Sequence, residues 1–176
     1  GTLFSARSLS PTGGQTEFCN TYAAYEGLPE ADKAAIRDLK VIHRMEASMR
    51  PVFRDLDDAA LAKYRGMAVE MVHPLVWTHR SGRRSLVLGT HADEVVGMSL
   101  PEGRSLLARL TEWAAQPAYS YRHEWQEGDF VIWNNCGAMH RVGPYDEDSG
   151  RTMHRTTIMG DERLGCRLDQ YLVQAA

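Results

Sequence analysis

The sequence predicts a mainly β domain, a sandwich or jelly roll with helices packed outside. Two observations carry that expectation. Short apolar-rich runs alternate with turn residues at the roughly 8–12-residue spacing of all-β folds. Strands and helices do not alternate in the strand–helix–strand order of a parallel sheet.

The elements follow in chain order. "TLFSAR" (2–7) reads as a strand running into the loop "SPTGG". Asn20 is a good N-cap for a short helix over 20–26, and Pro29 favours the first turn of a second helix reaching Leu39. "KVIHR" (40–44) is β-like. Residues 45–71 combine helix-forming residues with weak periodicity, as in a surface insertion, a subunit contact or a lid. "VHPLVWTH" (72–79), the turn "RSGRR" and "SLVLG" (85–89) read as a hairpin. Leu106, Leu107, Leu110, Trp113 and Ala114 share one stripe of a helix over 101–116, the strongest helical pattern in the chain, and are expected in the core. Strands are then expected at 119–125, 130–135, 139–142 and 151–160.

The 176 residues, 43% of them hydrophobic, suffice for one packed domain. A net charge of −3 gives no footprint for nucleic acid or an anionic membrane, and no apolar run has bilayer-spanning length. Three widely spaced cysteines argue against a disulfide framework and for a reducing, cytoplasmic setting. Gly1 begins in what reads as mid-strand. Residues 1–176 are therefore expected to be one domain of a longer chain.

The stretch "AMHRVGPYDEDSGRTMHRTT" (138–157) is the richest in chemistry. On a strand over 151–158, Arg151, Met153 and Arg155 share one face. Burying arginine is costly without an anion, and its planar fork suits a carboxylate. His140 could ligate a metal as neutral imidazole. The ordinary alternative is salt bridging to Asp146, Glu147 or Asp148. Elsewhere, His43 and His73 read as satisfied structural histidines, and His79 and His123 as exposed. A thiol nucleophile at Cys136 with His140 as base, giving a hydrolase, is a weaker reading.

Several stretches, in order, resemble the taurine dioxygenase/2,4-dichlorophenoxyacetate dioxygenase family of Fe(II)- and 2-oxoglutarate-dependent oxygenases. They are "GGQTEFCNTYAAYEGLP", "VHPLVWTH", "LVLGTHADEVVGM", "YRHEWQEGDFVIWNNCGAMHR" and "RTMHRTTIMGD". The resemblance implies a double-stranded β-helix (jelly roll). It makes His140 the distal histidine of a two-histidine, one-carboxylate iron site. Arg151 and Thr16 become the clamp on the distal carboxylate of 2-oxoglutarate, Arg155 a contact to cosubstrate or substrate, and Trp133 a wall of the pocket. The chain departs from the family at "WNNC" (133–136), Gln15 and Trp77. The family's proximal His-x-Asp pair would fall before Gly1, so the resemblance implies that residues 1–176 are a single catalytic-type domain, the C-terminal part of a longer chain whose N-terminal region carries that pair. His91 and Asp93, in "HAD", form an alternative pair by spacing, but follow "GGQT" where the family's pair precedes it.

The implied reaction consumes O2 and 2-oxoglutarate, releases succinate and CO2, and oxidises, typically hydroxylates, a C–H bond of a small organic substrate with an anionic handle. A homo-oligomer is compatible with the family. The alternative is a non-catalytic β-helix module that keeps the anion pocket and has lost its iron.

Overall fold

Strand β1 (Thr2–Ser8) lies at the centre of an antiparallel sheet, between β9 (Phe130–Trp133) and β11 (Thr152–Thr157). In the computed structural model, which describes residues 1–50, 59 and 69–175, a second antiparallel sheet centres on β2 (Thr16–Asn20) between β8 (Ser120–His123) and β10 (Ala138–Val142). Register decides what each face carries. Phe4 stands opposite both Val131 and Arg155, and Thr2 opposite Trp133, so these side chains share one face. On the other sheet, Phe18 stands opposite His140 and Tyr121. The two faces meet through aromatic rings: Phe18 and Trp133, from opposite sheets, have centroids 5.1 Å apart. This is the jelly-roll interior expected from the strand pattern.

The third sheet orders β12 (Cys166–Arg167), β4 (Met71–Pro74), β3 (Lys40–His43) and β7 (Ala92–Val95), and β5 (Val76–Thr78) with β6 (Arg84–Leu86) makes a hairpin. The hydrophobic core gathers here, where Val41, Leu75, Leu86 and Val95 meet Leu107, Leu110 and Ala114 of the long helix. That helix, Leu100–Ala114, begins at a Ser99/Glu102 capping box with Pro101 in its first turn. Its stripe packs as the periodicity predicts, Leu106 and Trp113 half-buried at the margin of the core, and Trp113 Nε1 donates to Ala24 O at 2.9 Å. Among the described residues, the short helices α1 (Thr21–Glu26), α2 (Glu30–Ile36) and α3 (Met45–Met49) precede the long helix, here α4, and α5 (Leu168–Ala175) follows it.

The structure corrects several expectations. No strand was expected at 16–20, yet "TEFCN" is a strand whose Cys19 and Thr16 are buried on opposite faces. The 72–79 run is two strands, because Leu75 changes partners: its N–H donates to Leu39 O while its carbonyl accepts from Val87 N–H. Pro74, lacking an N–H, ends the first pairing. The helix from Pro29 stops at Ile36. The surface-insertion reading of 45–71 falls largely on residues 51–58 and 60–68, outside the described residues, although α3 opens it and β4 closes it.

Candidate active site

The "GG" of "GGQT" places an arginine. Gly13 and Gly14 adopt φ of +74° and +77°, a region that disfavours any side chain. Space forbids one as well: a Cβ on Gly13 would lie 2.0 Å from Pro144 O, and one on Gly14 2.9 Å from Arg151 Nε. The bare backbone at Gly14 lets Arg151 Nη2 donate to Gly14 O at 3.1 Å, while Gly14 N–H donates to Pro144 O at 3.0 Å. The guanidinium lies over the Tyr145 ring, 4.7 Å from its centroid. Among the described residues no carboxylate pairs with this half-buried cation. Asp146 instead caps its own turn at the surface, its Oδ1 accepting from Asp148 N–H at 3.0 Å. The salt-bridge alternative for Arg151 and Arg155 therefore has no support at Asp146, Glu147 or Asp148. A partly desolvated, unpaired cation favours an anion beside it.

Thr16 enters β2 two residues after Gly14. Its side chain is 4% exposed, and its cross-strand neighbours are Val142 and His123. Trp125, just beyond β8, donates from Nε1 to Thr16 Oγ1 at 2.9 Å. The sequence reading did not single out Trp125. Its position two residues after His123, which register places beside Thr16, was the available signal.

His140 lies on the same face and is more exposed than Thr16. Its ring sits 4.9 Å from that of Trp133 and 6.3 Å from that of Phe18, centroid to centroid. Partial desolvation against those rings, and then the charge of Arg155, pushes the imidazolium below the ordinary histidine range. At neutral pH the ring is therefore neutral, the form that binds a metal. Trp133 Nε1 is buried without a partner among the described residues. Arg155 is exposed, on the face it shares with Phe4. Among the described residues no three histidine, cysteine or carboxylate side chains assemble as a complete metal site. The structure thus brings together a neutral histidine with a tryptophan, and separately an arginine with the loop before a buried threonine.

The remaining candidates resolve differently. Asp93, 4% exposed, accepts from Arg44, Arg50 and Arg104, so both carboxylate oxygens are engaged in a structural network. His91 instead borders a separate cavity of about 240 Å³ with His43 and His73. Among the described residues His43 and His73 are not satisfied as expected: their rings lie 4.8 Å apart, and His43 Nε2 and His73 Nδ1 are buried with no partner of good geometry among them. His79 is buried rather than exposed, and His123 is half-buried with Nε2 3.0 Å from Asp129 Oδ2.

His79 Nε2 lies 2.8 Å from Ser85 Oγ, and Glu162 lies 3.8 Å from its Nδ1, which mimics a nucleophilic triad. Ser85 is fully buried and gives its one proton to Cys136 O at 2.9 Å. His79 must then donate, and no nucleophile is activated. Burial likewise pushes the Cys136 thiol up, opposite to what a nucleophilic cysteine needs. Two departures from the family pattern, Trp77 and Cys136, meet in this cluster, since the Trp77 ring packs on His79 at 4.2 Å. In "WNNC", Asn134 Oδ1 accepts from Cys136 N–H at 3.0 Å, a turn-closing bond that an aspartate could also make.

The family model described as "Taurine catabolism dioxygenase TauD, TfdA family" matches residues 1–157. The alpha-ketoglutarate-dependent 2,4-dichlorophenoxyacetate dioxygenase of Burkholderia sp. is 40% identical over 167 residues, 94% of this chain and 54% of that protein. The (S)-phenoxypropionate/alpha-ketoglutarate-dioxygenase of Sphingobium herbicidovorans is 35% identical over 166 residues, 92% of this chain and 58% of that protein. Among solved structures, AAD-2 in complex with Mn(II) and N-oxalylglycine matches with a TM-score of 0.84 at 40% identity, covering 93% of this chain and 64% of that one. A taurine dioxygenase from Burkholderia xenovorans matches with a TM-score of 0.74 at 27% identity, over 93% of this chain and 53% of that one. The chain spans about half the length of the curated relatives it matches.

Proposed function

Because the chain belongs to the TauD/TfdA family of dioxygenases, we propose that it forms the cosubstrate-binding part of an Fe(II)- and 2-oxoglutarate-dependent dioxygenase. The observation that carries this reading is Arg151: a half-buried guanidinium, oriented by Gly14 and Tyr145, with no acid beside it among the described residues. In this reading it clamps the distal carboxylate of 2-oxoglutarate, with the Thr16 hydroxyl as second donor. His140, neutral and facing the interior, supplies one iron ligand, and the proximal His-x-Asp pair comes from residues before Gly1. Iron, when bound, supplies the redox chemistry with O2 that turns 2-oxoglutarate into succinate and CO2 and oxidises a substrate C–H bond.

The protein's part is positioning. Arg151 and Thr16 fix the far end of the cosubstrate, so that its keto acid end has one orientation relative to His140. Phe4, Phe18 and Trp133 exclude water from the interior between the sheets. Arg155, on the interior face, is a handle for a small substrate bearing a carboxylate or sulfonate. Three free cysteines favour a reducing compartment, which we take to be the cytoplasm. Homo-oligomers are part of the same proposal.

Arg151→Ala in the intact protein is expected to weaken 2-oxoglutarate binding at least about thirtyfold and to promote turnover uncoupled from substrate oxidation. Unchanged affinity would sink the assignment. Anaerobic Fe(II) with 2-oxoglutarate should also give the weak visible charge-transfer band of a chelate. Binding of 2-oxoglutarate without that band would instead identify an anion-binding module lacking catalysis.

A further inference from the structure

We infer that Trp125 is a positioning residue that holds Thr16 as a hydrogen-bond donor and so, beside Arg151, tunes the subsite for a carboxylate. The inference rests on the reading of Thr16 and Arg151 as the cosubstrate clamp and adds the residue that sets the clamp's polarity.

A threonine hydroxyl has one proton to give and lone pairs that accept. Left alone, it serves a neutral carbonyl, an amide or a carboxylate with little discrimination. An indole N–H only donates. Because Trp125 Nε1 donates to Thr16 Oγ1 at 2.9 Å, the oxygen is engaged as an acceptor and its proton is left for another partner. Among the described residues Thr16 Oγ1 donates to nothing, although the residue is 4% exposed. A buried hydroxyl with an ungiven proton calls for an acceptor. Accepting from the indole also polarises the O–H bond, strengthening its outward donation by roughly 10–30% in condensed-phase estimates. An uncharged hydroxyl and the Arg151 guanidinium then both present donors, a combination that suits an anion's oxygens and disfavours a cation or a group that can only donate.

Trp125 is itself held by contacts that do not use its N–H. Its ring meets Phe4 edge-on at 5.4 Å and His123 edge-on at 4.4 Å, centroid to centroid. His123 Nε2 lies 3.0 Å from Asp129 Oδ2, and the same oxygen accepts from Gln126 N–H at 2.8 Å, closing the turn that follows Trp125. Backbone register, ring packing and the Asp129 turn thus aim one N–H at one oxygen. Had Trp125 served only to fill the interior, its N–H could have faced solvent or a backbone carbonyl. Trp133, in the same interior, shows the contrast: its Nε1 is buried and unpaired among the described residues.

The test is calorimetry on the intact protein loaded with Mn(II), titrating 2-oxoglutarate and, separately, 2-oxobutyrate, which has the same keto acid end and no distal carboxylate. Trp125→Phe is expected to weaken 2-oxoglutarate binding about five- to tenfold and to leave 2-oxobutyrate binding unchanged. Thr16→Val should weaken 2-oxoglutarate similarly, and adding Trp125→Phe to it should cost nothing further. A loss that is equal for both 2-oxo acids, or that persists in full on the Thr16→Val background, marks Trp125 as packing alone and overturns the inference. Unchanged 2-oxoglutarate affinity in Trp125→Phe overturns it too, with the clamp left standing. If the wild type binds 2-oxoglutarate no better than 2-oxobutyrate, the clamp reading itself fails.

Discussion

Gly14 shows how much one residue can hold. Its positive φ permits the turn, its missing Cβ leaves room for Arg151 Nε, and its carbonyl accepts from Arg151 Nη2. Gly14→Ala is expected to destabilise the protein by more than about 1 kcal/mol, from backbone strain alone. It should also displace the guanidinium and weaken 2-oxoglutarate binding. Calorimetry together with thermal melting checks both parts. A variant with lowered Tm and wild-type affinity would show that Gly14 serves the turn and not the arginine. The glycines and Arg151 were legible in the sequence as motif letters. Their contact was not, because it joins residues separated by more than a hundred positions through a backbone carbonyl, and carbonyls carry no sequence signal.

At the scale of elements, adjacent β3 and β4 carry the two histidines that were expected to be satisfied. Burial, then the neighbouring charges of His73 and His91, pushes His43 down from 6.5 to about 4. The unfolded chain would protonate this histidine below the ordinary range while the folded sheet refuses the proton. Its contribution to stability is therefore complete at neutral pH and is lost as pH falls from roughly 6.5 toward 4, by on the order of 3 kcal/mol. Urea unfolding at pH 7 and pH 4.5 should show the loss, and His43→Phe should remove its share of the slope. An unchanged slope in the variant would locate the proton uptake elsewhere. The strands themselves were legible from apolar runs and turn residues, whereas β2 was missed because its alternation is short and abuts a strong N-cap. Asn20 is both the last residue of β2 and the cap of α1, its Oδ1 accepting from Tyr22 and Ala23 N–H at 3.1 Å.

Across the whole molecule, the proposed site and the scaffold occupy different sheets. His140 and Thr16 belong to the sheet centred on β2, while Asp93 anchors the third sheet to helices α3 and α4 through Arg44, Arg50 and Arg104. Removing that carboxylate would leave three guanidinium groups short of a partner. Asp93→Asn is expected to cost about 3 kcal/mol and lower Tm by roughly 6–12 °C. Mn(II) stoichiometry in the intact protein should not change. Loss of metal at unaltered Tm would reinstate His91 and Asp93 as the proximal pair.

The sequence by itself determined the fold class and the family and nominated the residues of the proposed site, because apolar periodicity, turn glycines and motif order are local properties that survive being read in one dimension. Tertiary structure decided which of those residues are free to act. It engaged Asp93 with three arginines, buried Ser85 beneath His79 and Cys136, and left Arg151 without an acid among the described residues. It also introduced Trp125, whose role depends on a single N–H reaching an oxygen 109 positions away in the chain. Whether a polar group is satisfied depends on partners brought close by folding, and spacing along the chain does not record them.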